Sequence, residues 1–183
     1  MTIQEKYAAA LPLVNSGDIG LFRGRALISD AIELVTKSYW SHSEVLYWQN
    51  GKLMCIDATG KGVNADFLIN TIDSEEDFAI LRVDRPQAMI DAAVLKVIGL
   101  ATGKVRYNYL FYAQILLYKL FHKDFTHLSE KHADVCSQTV QVFGVNLTPP
   151  LWQDNSAPTN LITPEYIWDN PGLGTKIIID KGL

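Results

Sequence analysis

The dipeptide Asn50-Gly51, placed between two β-like segments, is the feature that most restricts how this chain can fold. The segments 43–48 and 53–58 are rich in apolar, aromatic and β-branched residues. Asn-Gly between two such segments is the strongest short-range signal for a β-hairpin. The sequence therefore predicts an antiparallel pair of strands at this position.

The predicted hairpin also fixes which side chains face each other. With Asn50 and Gly51 as the two loop residues, Glu44 faces Asp57, and His42 lies opposite Thr59. Residues i and i+2 of a strand share a face. We therefore expect His42 to lie diagonally beside Asp57, within reach of a side-chain hydrogen bond. Glu44 shares that face and is the alternative partner of His42.

The rest of the chain predicts an α+β fold in a single domain, residues 1–183. Further strands are expected at Ile19–Phe22, Phe78–Val83 and Lys176–Asp180. Helical periodicity and caps predict helices around Ile28–Val35, from Pro86 to near Gly103, over Tyr109–His122, over Asp134–Phe143 with Asp134 as N-cap and Gly144 just past the end, and from Thr163-Pro164-Glu165.

Composition excludes several classes of protein. The chain has 183 residues, of which 48% are hydrophobic, enough for a core without disulfides or a structural metal. Sixteen Lys and Arg against twenty Asp and Glu give a net charge of −4, and no basic block suggests a nucleic-acid partner. The only two cysteines, Cys55 and Cys136, fit neither a disulfide framework nor zinc-ligand spacing.

The chain shows no segment that predicts a membrane protein. The N-terminal residues lack the basic start and uninterrupted apolar core of a signal peptide. The longest apolar run, Tyr109 to Phe121, is shorter than the ~20 residues that cross a bilayer. We therefore expect a soluble cytoplasmic protein without an integral membrane segment, with non-classical export as the alternative.

Cys136 is the candidate nucleophile, because it lies in the first turn of a predicted helix. Unpaired N–H groups and the helix dipole there favour a thiolate and could hold an oxyanion. Cys55, in mid-strand between Met54 and Ile56, is expected to be an ordinary buried residue. A thiol nucleophile needs a base and an orienting acceptor, and His42 beside Asp57 or Glu44 offers both.

The other histidines give no metal-site pattern. His122, His127 and His132 are spaced five residues apart, which fits neither a helix face nor a strand face. We therefore predict no metal and no cofactor. His132, four residues before Cys136, is the rival base. The aromatic segment Tyr109–Phe121 is expected to belong to the core, with a lipid-facing groove as the alternative.

Several short motifs occur in a recognisable order. They are Gly17-Asp18-Ile19-Gly20, Tyr39-Trp40-Ser41-His42, Ile56-Asp57-Ala58-Thr59-Gly60, Tyr107-Asn108-Tyr109 and Val135-Cys136-Ser137-Gln138. This order resembles the circularly permuted papain-like cysteine hydrolases of the NlpC superfamily, in particular the bacterial YiiX-like group. Lecithin–retinol acyltransferase is a more distant relative.

The resemblance implies an antiparallel sheet packed against helices and a Cys-His-Asp triad. The catalytic cysteine of the family falls on Cys136, its histidine on His42 and its third polar residue on Asp57. Tyr107 and Ser137 are expected to line the substrate cleft, by their positions in the motifs. This sequence departs from the usual pattern at three sites. Asp57 replaces a Glu, Gln138 stands where Glu is common, and Ser43 replaces an aliphatic residue.

The resemblance leads to one main hypothesis and two alternatives. The main hypothesis is an amidase or peptidase that works through an acyl-enzyme, with a small acylated amine or a cell-wall-type peptide as substrate. The first alternative is a lipid esterase or acyltransferase. The second is a catalytically inactive binding protein on the same scaffold.

Overall fold

The structure is a computed structural model, and it describes residues 1–24, 39–59, 62–73, 77–102, 106–107, 133–134, 136–151, 162–170 and 173–180. The helices predicted around Ile28–Val35 and Tyr109–His122 lie outside these residues, as do His122, His127 and His132. None of the helices in the described ranges is long and apolar enough to span a bilayer.

The described elements combine one large antiparallel sheet with helices. In chain order they are α1 (Ile3–Ala10), β1 (Ile19–Arg23), β2 (His42–Gln49), β3 (Lys52–Thr59), β4 (Gly62–Phe67), α2 (Leu68–Thr71), β5 (Asp77–Leu81), α3 (Gln87–Thr102), β6 (Arg106–Tyr107), β7 (Ala133–Asp134), α4 (Cys136–Val145), α5 (Pro164–Asp169) and β8 (Lys176–Asp180). The sheet has the strand order β4-β3-β2-β1-β5-β8, and β6 pairs with β7 separately. The mixed α+β fold predicted from the sequence is confirmed.

The hairpin at Asn50-Gly51 has the predicted register. Asn50 and Gly51 have φ values of 51° and 73°, the left-handed conformation that this dipeptide adopts easily. The paired residues of β2 and β3 run from Gln49–Lys52 to Val45–Ile56. His42, Glu44 and Asp57 lie just beyond this ladder, where β2 pairs with β1 and β3 pairs with β4.

One face of the sheet forms the larger apolar core, and we call it the apolar face. It consists of alternate residues of the strands, and α3 and α4 pack on it. Phe143 and Val140 of α4 are fully buried there, in the same cluster as Val45 and Ile56. Burial of this many aliphatic and aromatic side chains is the main force that holds α4 against the sheet.

The other face of the sheet, which we call the mixed face, has a smaller apolar cluster and several polar side chains. α1 covers part of it, starting with a capping box between Thr2 and Glu5. Lys6 of α1 is fully buried, with its ammonium 3.3 Å from Asp180 of β8 and 3.0 Å from the carbonyl oxygen of Asp73. These contacts tie the first helix to the last strand.

Some helix ends differ from the prediction. Asp134 is not the N-cap of α4, because it pairs in the short strand β7 and the helix begins at Cys136. Gly144 does not end α4 either, since the helix continues to Val145. The start of α5 is as predicted: the Thr163 hydroxyl accepts the Tyr166 N–H at 3.1 Å, with Pro164 at the first position.

Candidate active site

His42 and Asp57 lie side by side at one end of the sheet. The Nε2 of His42, the first residue of β2, is 3.7 Å from Oδ2 of Asp57 in the last part of β3. This distance suits an ion pair and slightly exceeds a hydrogen bond. The His42 side chain is 28% exposed, whereas that of Asp57 is 8% exposed. Solvent and a small ligand can therefore reach the imidazole, while its acidic partner is held in the sheet.

Glu44 is the third polar side chain of this group. It is only 1% exposed, and ligating atoms of His42, Glu44 and Asp57 all lie within 4.8 Å of one another. We call these three residues the polar trio. Both candidate partners predicted for His42 are thus close to it, and either carboxylate can orient the imidazole.

The polar trio lies on the mixed face. The imidazole ring of His42 is 6.3 Å from the Phe22 ring, which belongs to the cluster under α1. Gly20 of β1 lies beneath Glu44, since a Cβ built there would be 3.2 Å from the Glu44 Cγ and 3.4 Å from its Oε1. The absence of a side chain at Gly20 leaves room for the carboxylate.

Cys55 shares the mixed face, but its chemistry is that of an inert buried thiol. It is fully buried, its thiol is within 3.6 Å of the Asp66 carbonyl oxygen, and its sulfur is 3.4 Å from the Thr71 hydroxyl. Burial raises the pKa of the Cys55 thiol, and the nearby Glu44 carboxylate raises it further. Cys55 therefore stays protonated at neutral pH.

Cys136 is the first residue of α4, and Ser137 is the second. The position is the one expected for a nucleophile at a helix N-terminus. The helix carrying it packs on the apolar face, however, through the fully buried Val140 and Phe143. The structure thus brings the polar trio together on one face of the sheet, and Cys136 comes from a helix on the other.

Strand pairing brings the backbone of Tyr107 close to the start of α4. Residue for residue, β6 pairs with β7, so that Tyr107 is opposite Asp134, two positions before Cys136. Both short strands also contact β4, the strand next to β3. The segment before Cys136 and the segment containing Tyr107 are therefore held together at the edge of the large sheet.

Sequence reasoning overlooked the polar trio as a group that could hold a cation. It considered metal binding only from the spacing of the histidines and of the two cysteines, whereas the trio combines one histidine with carboxylates from two strands. The predicted register already indicated this cluster, since Glu44 and Asp57 were expected to face each other. The glycine in mid-strand at position 20 was a second signal for a closely approaching side chain.

Comparison with known proteins gives a fold but no family by sequence. No family model matches the chain, and no curated protein matches it. The sheet and its helices form a mixed α+β fold of the YiiX-like type. A solved structure with this fold is that of the metalloprotein yiiX from Escherichia coli O157:H7. It matches with a TM-score of 0.61 and 20% identity over 89% of this chain and 96% of that chain.

This match confirms, at the level of the fold, the resemblance found in the sequence motifs. At 20% identity the similarity concerns architecture and not chemistry. The match therefore concerns the overall arrangement of helices and strands. The roles of individual residues depend on their local geometry.

Proposed function

We propose that this protein is a thiol-dependent hydrolase that cleaves an amide or ester bond through an acyl-enzyme. The observation that carries the proposal is the His42–Asp57 pair, 3.7 Å apart at the end of the sheet, in a YiiX-like fold. Cys136 as the first residue of α4 supplies the matching nucleophile. An amidase or peptidase acting on a small acylated amine or a peptide is the form we favour.

In the proposed mechanism His42 moves the protons and Cys136 forms the covalent bond. With Nε2 turned towards Asp57, Nδ1 of His42 takes the proton from the Cys136 thiol. The thiolate attacks the substrate carbonyl carbon, and the oxyanion accepts N–H bonds from the first turn of α4. His42 then donates its proton to the departing amine. Water, deprotonated by His42, attacks the thioester, which releases the acid and restores the thiol.

Asp57 acts on the reaction through His42. Its carboxylate fixes the ring orientation and stabilises the imidazolium that forms when the thiol loses its proton. Glu44 is near enough to share this role. We assign Ser137, beside the nucleophile, and Tyr107, whose strand pairs with the residues before Cys136, to the lining of the substrate cleft.

The two sheet faces set a geometric requirement for this mechanism. Because α4 packs on the apolar face and the polar trio lies on the mixed face, thiol and imidazole have to meet around the end of the sheet where β2 begins. His42 is the first residue of β2, so its side chain is at that end.

Alkylation of Cys136 by iodoacetamide tests the proposal directly. We expect it to react at pH 7 at least about tenfold faster than a free thiol, because an imidazolium partner raises the thiolate fraction. His42→Ala should remove this advantage and, like Cys136→Ser, abolish hydrolysis of amide substrates. The buried Cys55 is the internal control and should remain unmodified in the folded protein. A Cys136 that reacts only as the protein unfolds would contradict the proposal.

Metal binding is a second candidate function, favoured by the polar trio itself. The yiiX protein, which shares this fold, is described as a metalloprotein. In this chain an imidazole and two carboxylates have ligating atoms within 4.8 Å of one another. Those donors suit a first-row divalent cation. This candidate corresponds to a binding protein on the hydrolase scaffold and needs no contact between His42 and Cys136.

A further inference from the structure

We infer that His42, Glu44 and Asp57 form a site for one divalent cation of the Zn²⁺ type, and that cation binding and activation of Cys136 compete for His42. The inference rests on the two proposed functions and joins them. The polar trio then acts as a switch: the His42 imidazole either binds the metal ion or accepts the proton of the Cys136 thiol.

The donor set fits such a cation. One imidazole nitrogen and two carboxylate oxygens are ligands that Zn²⁺ takes at about 2.0–2.2 Å, and three protein ligands leave a position open. Ligand atoms around a tetrahedral Zn²⁺ are therefore about 3.4 Å apart. The His42 and Asp57 atoms are already 3.7 Å apart, and no pair in the trio exceeds 4.8 Å. Small side-chain rotations are enough to bring the three ligand atoms to the distances required around one ion.

The surroundings of the trio also fit a cation. Counted over the whole residue, Glu44 and Asp57 are 1% and 6% exposed, so two carboxylates are held close together out of water. Like charges in that position favour a bound positive charge. Gly20 beneath Glu44 provides the space that lets this carboxylate lie beside the others. His42, at 28% side-chain exposure, leaves an entry route from solvent.

Competition follows from the chemistry of the imidazole. An imidazole bound to a metal through one ring nitrogen carries its proton on the other, so neither nitrogen has a lone pair left for the thiol proton. A cation-bound His42 therefore cannot accept the proton of Cys136. Removal of the cation restores the base. Glu44 distinguishes this site from a simple triad, because it adds the third ligand without contacting the reacting atoms.

Titration with Co²⁺ in the Cys136→Ser background tests the site without the Cys136 thiol, which could bind metal by itself, and the remaining thiol of Cys55 is fully buried. We expect one equivalent to bind with the weak visible absorption of nitrogen and oxygen ligands. His42→Ala, Glu44→Gln and Asp57→Asn should each weaken binding at least about tenfold. Asp66→Asn, the same change at an exposed position of the neighbouring strand β4, should have no effect. Thermal unfolding of each apo variant shows whether it is folded.

The outcomes separate this inference from the proposed hydrolase. No Co²⁺ binding below about 1 mM, or binding that survives all three trio substitutions, would overturn the inference and leave the alkylation result untouched. In the protein with Cys136 intact, saturating Zn²⁺ should slow alkylation of Cys136 at least about tenfold. The ratio of rates with and without Zn²⁺ should fall towards one in Glu44→Gln. An unchanged ratio in that variant would overturn the competition.

Discussion

The two faces of the central sheet are built from the same strands but have different tasks. The apolar face, under α3 and α4, is a continuous cluster of hydrophobic side chains. The mixed face has apolar residues under α1, such as Leu46 and Phe78, and then the polar trio at the end of β2 and β3. Because side chains alternate along each strand, one face of the hairpin contributes to the apolar core and the other face carries the polar trio.

This difference shows why the polar trio can exist at all. Buried carboxylates are costly, and a sheet with both faces fully buried in apolar contacts could not accommodate them. Here the apolar face provides most of the stabilisation. The mixed face can then hold charged groups at the end of the strands, where His42 is still open to solvent.

The largest effect is expected on the apolar face. Phe143→Ala should lower the free energy of unfolding by about 3–5 kcal/mol, because a fully buried ring between α4 and the sheet is replaced by a cavity. Leu95→Ala, on the exposed side of α3, should change it by less than about 0.5 kcal/mol. Urea unfolding followed by circular dichroism measures both. A small effect at Phe143 would mean that α4 does not pack on this face.

A smaller effect is expected where the mixed face approaches β1. Gly20→Ala places a Cβ 3.0 Å from the Phe22 ring and 3.2 Å from the Glu44 Cγ. Overpacking should cost about 1–3 kcal/mol and displace the carboxylate. Gly99→Ala is the matched control, since no atom beyond the adjacent residues and backbone of its own helix lies within 4 Å of that Cβ. Alanine also favours the helix, with a gain of about 0.5–1 kcal/mol. Equal results at both glycines would show that Gly20 is not a spacer for Glu44.

The smallest effect is a pH dependence from the buried thiol. The pKa of Cys55 is raised in the folded protein, chiefly by burial, whereas the unfolded chain has an ordinary value of about 8.5. Above that pH the unfolded state loses a proton that the folded state keeps, so stability falls with rising pH. The slope is at most about 1.4 kcal/mol per pH unit.

Cys55→Ala isolates this contribution. Unfolding measured between about pH 7 and pH 10 should show a shallower decline in the variant, whatever its stability at neutral pH. The other titrating groups are common to both proteins and cancel in the difference. Parallel curves for the two proteins would contradict the raised pKa.

The sequence predicted the local geometry well and the packing poorly. Asn50-Gly51 specified the turn, the turn specified the register, and the register placed His42 beside Asp57, because each step depends on neighbours in the chain. The capping signal of Thr163-Pro164 was equally local and is confirmed. The hydrophobic pattern of the sequence could not show which face of the sheet α4 covers, since that depends on contacts between distant segments.

β4 and α1 are among the elements that went unpredicted, because their placement depends on contacts with distant segments. β4 contains Asn64 and Asp66, and its strand form comes from pairing with β3 rather than from its own propensity. No helix was predicted at α1. Its capping box is local, but its position depends on Lys6, whose partner Asp180 lies at the other end of the described chain.

Because Lys6 is buried, its chemical labelling reports the detachment of α1 from the mixed face. An amine-reactive reagent can label the Lys6 ammonium only after α1 has left the mixed face, because the side chain has no exposed surface in the folded protein. Partial openings of this kind require less free energy than global unfolding. The rate at which Lys6 gains a label thus measures how often the first helix detaches and exposes the surface beneath it.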